Sequence, residues 1–346
     1  MHAIVVHLHL HLHPAPSGSP WLSRPHVARV LPPSWVNLQL SLTRSQFVRA
    51  ALAAPLGAML TGAMHAQPRA AAEPMNTRPI PSTREALPVI GCGTYVGFDY
   101  APGSPEYTPL PKVLDALFAA GGKLLDSSPM YGRAEATTGE LLQGPQRSSA
   151  FIATKVWTQG RDAGIRQMNE SMRLLRAERI DLMQIHNLLD WRTHLATLRR
   201  WKEEGRVRYA GITHYTASAY PEVEAVLRAE PLDFLQINYA FDERDAEQRL
   251  LPLAAERGVA VIVNRPFGGG GLLRRARDQA LPAWAAEIDC TSWAQVLLKF
   301  VLSHPAVTCA IPGTSRPEHM RDNAAAGTGV IPPASFWFDK RALIGV

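Results

Sequence analysis

The chain has 346 residues, 46% hydrophobic and 19% charged, with a formal net charge of +6, which is ample material for a sizeable buried core. The charge is concentrated at the front: residues 1–72 contain no Asp, Glu or Lys, and removing residues 1–66 takes away four arginines and no acid, lowering the formal charge from +6 to +2. The remainder offers no basic patch that would argue for nucleic acid, and Cys92, Cys290 and Cys309 are too widely spaced for a metal-ligand pair or a redox CxxC. An odd set of distant cysteines points to free thiols in a reducing compartment, each a small apolar residue in the interior.

In chain order, residues 1–41 carry His7, His9, His11 and His13 alternating with leucine, which reads either as a metal-binding tract or as an over-extended start of translation. Residues 42–66 have the layout of a signal peptide: a positive segment, a mildly apolar Ala/Gly-rich run too short to span a bilayer, and a small-residue end. Thr43-Arg44-Ser45-Gln46-Phe47-Val48-Arg49 resembles the bacterial twin-arginine signal, with Ser45 where the second arginine belongs. The expected location is therefore periplasmic if this degenerate signal works and cytoplasmic otherwise. Residues 1–66 form a disordered or signal-like extension in this reading and 67–84 a linker.

From there short apolar runs alternate with amphipathic stretches. Strands are expected at 89–93, 123–127, 151–156, 180–185, 209–213, 234–239, 259–263 and 308–311, with helical patterns at 112–120, 166–175, 222–228, 250–256 and 293–303. Eight strands alternating with helices predict an α/β fold, a (β/α)8 TIM barrel over residues 85–331 with a short tail at 332–346. An open doubly wound sheet is the alternative, but the first strand lacks the Gly-x-Gly-x-x-Gly phosphate turn, and the glycine run 268–271 follows the seventh strand as a flexible loop.

In such a barrel, reactive groups belong at the C-terminal ends of the strands. Asp126 ends the second strand, Tyr131 lies in the loop after it, Lys155 ends the third and His186 the fourth. A phenol is a poor acid at neutral pH, and a neighbouring ammonium would lower its pKa and make the hydroxyl a usable proton donor. A buried lysine needs a carboxylate partner, the role given to Asp126. A histidine beside the phenol can hold a carbonyl oxygen in line. The set suits carbonyl reduction, with hydride delivered by a cofactor and a proton by Tyr131. A metal-dependent barrel hydrolase would need a His/Asp ligand cluster, and only His186 and His214 qualify.

From about Leu87 to about Ile331 the chain resembles an aldo-keto reductase. The likeness rests on the four residues above, on Trp201–Tyr209 before Gly211-Ile212-Thr213, on Gln236-Ile237-Asn238-Tyr239, and on Ile311-Pro312-Gly313-Thr314-Ser315. It implies catalytic roles for Asp126, Tyr131, Lys155 and His186, and a nicotinamide dinucleotide across the barrel mouth, NADP in preference to NAD. Implied cofactor contacts are Gly93, Thr94 and Tyr95 after the first strand, Asp126, Thr213 and His214 where relatives often have Ser-Asn, and Gln236. The seventh strand would add Asn264, Arg265, Pro266, Phe267 and Gly268, and the last Gly313, Thr314, Ser315, Arg316, His319 and Asn323. Asn264 stands where many relatives place an aromatic against the nicotinamide, so either Phe267 or Tyr239 covers the ring or the cofactor is held less tightly. Arg316 reads either as a partner of the 2′-phosphate or as a solvated first-turn residue; relatives often have lysine at Gly313 and arginine at His319. The expected partner is a small carbonyl substrate, with no nucleic acid, no stable membrane span and no resident metal; neither substrate identity nor oligomeric state is legible. The alternative is a cofactor-binding redox sensor or regulatory subunit with little turnover.

Overall fold

The computed structural model describes residues 73–340, so the histidine tract and the signal-like segment lie outside the described residues. The described chain opens with an antiparallel hairpin, β1 (Thr77–Pro79) and β2 (Ala86–Pro88), paired Thr77 to Pro88. This corrects the expectation of a linker up to residue 84. Three prolines in 79–88 read as linker composition, but a two-stranded hairpin at the rim of a barrel tolerates proline because its outer N–H groups have no ladder partner.

The barrel follows: β3 (Cys92–Gly93), α1 (Leu110–Ala119), β4 (Leu124–Asp126), α2 (Ala134–Leu141), α3 (Gly144–Ser149), β5 (Phe151–Val156), α4 (Arg161–Leu174) and β6 (Ile180–His186). It continues with α5 (Trp191–Glu203), β7 (Val207–Thr213), α6 (Tyr220–Ala229), β8 (Phe234–Asn238), α7 (Leu250–Glu256), β9 (Ala260–Asn264), α8 (Gly271–Ala276), α9 (Trp293–Ser303), β10 (Val307–Ala310) and α10 (Pro317–Ala325). β3 to β10 form one parallel sheet in sequence order, and bridges from Ile90 to Ala310 and from Gly93 to Gly313 close it. All eight expected barrel strands are present, the first shortened to two ladder residues.

Two cores result. The side chains of Leu124, Phe151, Leu182, Tyr209, Phe234, Ala260, Ile262 and Cys309 fill the barrel together with Ile80 and Leu87 of the hairpin. Several of these open their strands, so the hairpin plugs the N-terminal end of the barrel. The alternate residues of the strands face outward onto the helices: in β6, Leu182 points in while Met183 and Ile185 join the outer core. The run at 268–271 is not the flexible loop expected: Gly268, Gly269 and Gly270 hold φ of 56°, 63° and 87°, and the chain passes directly into α8. Only glycine takes three successive left-handed residues without strain. In the tail, Trp337 is buried against Phe300 of α9 with its indole N–H on Ser303, whereas Phe338 is exposed.

Candidate active site

The mouth of the barrel is built by the C-terminal ends of β4, β5 and β6. Asp126 closes β4 and points inward. Lys155, one residue before the end of β5, also points inward, and the register sets Asp126 beside Ala153, two residues before Lys155. The ammonium meets Asp126 Oδ2 at 2.6 Å and donates to the Ser127 carbonyl at 2.7 Å, with both side chains essentially inaccessible to water. Burial alone would lower the lysine pKa. The adjacent carboxylate and the Tyr131 hydroxyl outweigh it, so Lys155 stays protonated above the ordinary lysine range.

Asp126 has more partners than the sequence suggested. Its Oδ1 accepts from Gln184 Nε2 at 2.9 Å and from Gln236 Nε2 at 2.8 Å. Gln184, unnoticed in the sequence, lies two residues before His186 on the inward face of β6. The period of two along a strand was the available signal. Gln236 is fixed at both ends, since its Oε1 accepts from Thr213 at 3.1 Å and Asn264 at 3.4 Å. This ring of amides, hydroxyl and carboxylate satisfies polar groups that would otherwise be costly to bury.

Tyr131 hangs over this pair on a braced loop. Its N–H bonds the Ser128 carbonyl, and the next residue, Gly132, has φ 58°. A Cβ at Gly132 would come within 2.2 Å of the Asp99 carboxylate, which accepts from Arg133 N at 2.7 Å. Glycine is therefore required where the Tyr131 loop docks on the loop after β3. The Lys155 ammonium stands 4.9 Å from the Tyr131 ring centroid, and His186 packs edge-on to the ring at 6.0 Å.

The sequence-based expectation that Lys155 brings the phenol below its usual pKa is corrected. Burial raises it and dominates; Lys155 lowers it but does not win, and the Asp126 charge adds to the rise. Tyr131 is thus protonated throughout the neutral range. His186 is pushed down to about 3, by burial first and then by the charges of Lys155 and His214, so its imidazole is neutral. Its Nδ1 lies 3.1 Å from the Ser128 hydroxyl, a contact the sequence did not indicate.

The remaining expected residues divide into three groups. Thr94 is buried and bonds the Asp126 carbonyl at 3.1 Å and Ser127 Oγ at 2.9 Å, while Tyr95 is exposed with its ring against Tyr131. Gly93 and Gly313 bridge the first and last barrel strands, a Cβ on Gly93 meeting the Ile311 carbonyl and one on Gly313 the Gly93 carbonyl, each at 3.0 Å. His214 Nδ1 accepts from Tyr215 N, and Asn264 Nδ2 reaches the His214 carbonyl at 3.1 Å. Arg265 is exposed with φ 50° and pairs with Glu243 at 3.4 Å, beside buried Pro266 and the turn at Gly268. At the end of β10, Thr314 Oγ1 caps Arg316 N, Arg316 and His319 are exposed, Ser315 is half-buried and Asn323 is buried on α10.

The expected ring cover is not provided by Phe267 or Tyr239. Both are buried in the outer core, Tyr239 against Phe300 with its hydroxyl on Glu247. The exposed aromatics at the mouth are instead Tyr95, Trp157 and Tyr215. Among the described residues no group of three or more His, Cys, Asp or Glu side chains could hold a metal ion, and no helix is long and apolar enough to cross a membrane.

The chain is similar in sequence and fold to known proteins. Aldo-keto reductase str7 of Strobilurus tenacellus is 28% identical over 258 residues, covering 63% of this chain and 76% of that protein. An aldo-keto reductase from Klebsiella pneumoniae, solved in complex with NADPH, superposes with a TM-score of 0.66 at 24% identity, covering 79% of this chain and 95% of that one. A Klebsiella pneumoniae aldo/keto reductase solved with NADP and acetate gives 0.63 at 25% identity over 75% of this chain and 91% of that one. The profile of the Aldo/keto reductase family matches residues 89–336, the whole barrel with its four-residue site, and the chain belongs to that family.

Proposed function

We propose that this protein is an NADP-dependent oxidoreductase that reduces aldehyde or ketone carbonyls to alcohols, with Tyr131 as general acid. The observation that carries the reading is the dry Asp126–Lys155 pair set beneath a protonated phenol and a neutral imidazole.

The residues at the mouth suit a nicotinamide dinucleotide. Asn187 Oδ1 and Asn264 Oδ1, at the ends of β6 and β9, are buried with no hydrogen-bond partner among the described residues, and a carboxamide N–H2 would supply donors to such acceptors. Arg316 is exposed at the start of α10 and makes no ion pair among the described residues. With Thr314 and Ser315 it forms a cation-and-hydroxyl set for a 2′-phosphate at a helix N-terminus. When bound, the reduced cofactor supplies hydride to the carbonyl carbon. Tyr131 gives its proton to the carbonyl oxygen as negative charge builds there. Its raised pKa keeps the acid loaded, and it remains a far stronger acid than the alcohol being formed. Lys155 stabilises the phenolate left behind, and Asp126 holds Lys155 in its charged form. His186, neutral and edge-on to Tyr131, positions the carbonyl oxygen.

The deciding experiment is steady-state oxidation of NADPH and NADH by the full chain with a panel of aldehydes and ketones. Turnover with NADPH at lower KM than with NADH is expected; absence of turnover with every carbonyl would defeat the proposal. A second reading, a cofactor-binding redox sensor, is favoured by one feature: Asn264 offers no aromatic face, and Phe267 and Tyr239 are turned into the core. NADPH binding without turnover would select it. The proposal of export through segment 42–66 is tested by N-terminal sequencing of protein from its native host, with a mature start near Gln67 expected.

A further inference from the structure

Deepening the reading above, and resting on its assignment of His186 as the residue that holds the carbonyl oxygen, we propose that Ser128 is a positioning residue that fixes His186 in the tautomer carrying its proton on Nε2. Ser128 is wholly buried, and its Oγ lies 3.1 Å from His186 Nδ1. Among the described residues no other hydrogen bond of that hydroxyl is found, although the residue's carbonyl accepts from Tyr131 N. A neutral imidazole has one donor nitrogen and one acceptor nitrogen. If Nδ1 carried the proton, it could bond the serine oxygen, but the buried O–H would then have no acceptor. If Nε2 carries it, Ser128 donates to Nδ1 and both groups are satisfied. Leaving a buried hydroxyl unpaired is the costlier arrangement, so the polar accounting selects the second.

The consequence lies at the other ring nitrogen. With Nδ1 committed to Ser128, His186 presents an N–H donor at Nε2. The ring is held between Tyr131 at 6.0 Å and Trp157 at 6.2 Å, with the Lys155 charge nearby. A donor can hold a carbonyl oxygen beside the Tyr131 hydroxyl; the opposite tautomer would turn a lone pair toward that oxygen and repel it. Ser128 also lies two residues beyond Asp126 on the same chain. One segment thus carries the carboxylate that supports Lys155, the hydroxyl that orders His186 and, three residues on, the acid.

The test is nitrogen NMR of histidine-labelled full-length protein at neutral pH, with the His186 signals assigned from their loss in His186→Gln. The wild type is expected to show only the Nε2–H pattern and Ser128→Ala a mixture of both tautomers, while Ser128→Thr, which keeps the hydroxyl, restores the single pattern. Alongside, Ser128→Ala should lower kcat/KM on the order of three- to tenfold, the worth of one neutral hydrogen bond, with NADPH affinity unchanged. An Nδ1–H pattern in the wild type, or an unaltered Nε2–H pattern in Ser128→Ala, would overturn the proposal. If Ser128→Ala does not fold, the wild-type and Ser128→Thr spectra decide alone. The spectra need no turnover, so a protein that reduces no carbonyl yet shows the expected tautomers would defeat the catalytic reading and leave the role of Ser128 standing.

Discussion

The barrel carries two acid–base clusters, one at each end, and they differ in water. At the mouth, Lys155 and Asp126 have side chains 0% and 3% exposed, with protein donors and carbonyls on all sides. At the opposite end Glu85 joins Lys123, Arg208 and the buried Tyr209's hydroxyl, and Arg208 also meets Asp181 at 2.7 Å, with the charged side chains 13–29% exposed. Burial pushes Glu85 up, but bonds from Tyr209 and Arg208 outweigh it and hold the carboxyl below its usual range. A surface recess of about 700 Å³ lies beside this second cluster and not at the mouth. A recess and a larger number of ion pairs therefore do not by themselves mark the end where chemistry is proposed. Dryness, together with a phenol and a neutral histidine packed edge-on, distinguishes the mouth, where the proposed function places the chemistry.

The comparison breaks most readily at Lys155. Lys155→Met leaves Asp126 buried with two amide donors and no cation, which should cost about 3–5 kcal/mol of stability, and should lower kcat by at least ~10²-fold. Urea unfolding and steady-state rates measure the two losses. Asp126→Asn should destabilise comparably, because it strands a buried ammonium; a mild loss at Asp126 would show that the Ser127 carbonyl alone sustains the charge.

Acid sharpens the contrast next. His186 has a folded pKa near 3 against an unfolded value near ~6.5, so the folded state binds fewer protons between these values. Its contribution is fully present above about 6.5 and is lost as the pH falls toward 3. Melting from pH 7 to pH 4 should therefore fall less steeply in His186→Gln than in wild type; parallel slopes would mean that another group governs acid loss.

A smaller effect is expected at the cofactor end. Arg316→Ala should weaken NADP binding on the order of tenfold and leave NAD nearly unchanged, since only NADP presents a phosphate to the guanidinium. Equal losses in a calorimetric titration would assign Arg316 to the shared pyrophosphate. Smallest of all is the partly solvated cluster: Glu85→Gln should cost only ~1 kcal/mol or less and leave kcat unchanged.

Much of the site was legible in the sequence because a barrel strand delivers its last inward residue to one mouth, so Asp126, Lys155 and His186 follow from strand ends alone. Their environment was not. The balance at Tyr131 depends on how deeply the loop docks, which Gly132 beside it and Asp99, thirty-two residues earlier, decide together. Gln184 and Ser128 are uncharged and find their partners only on other strands. Helix α2 was missed for a related reason: Glu135, Thr137 and Thr138 are buried, with Glu135 bonded to Thr154 on β5, so its inward face lacks the apolar repeat that marks an amphipathic helix.

Single-turnover NADPH oxidation by Tyr131→Phe with a good aldehyde tests the central claim most directly. The substitution removes one hydroxyl and keeps the ring, so NADPH should bind with little change in affinity while the reduced-nicotinamide signal decays at least ~10²-fold more slowly than in wild type. Decay at the wild-type rate would contradict the assignment of Tyr131 as the acid, whatever the fold.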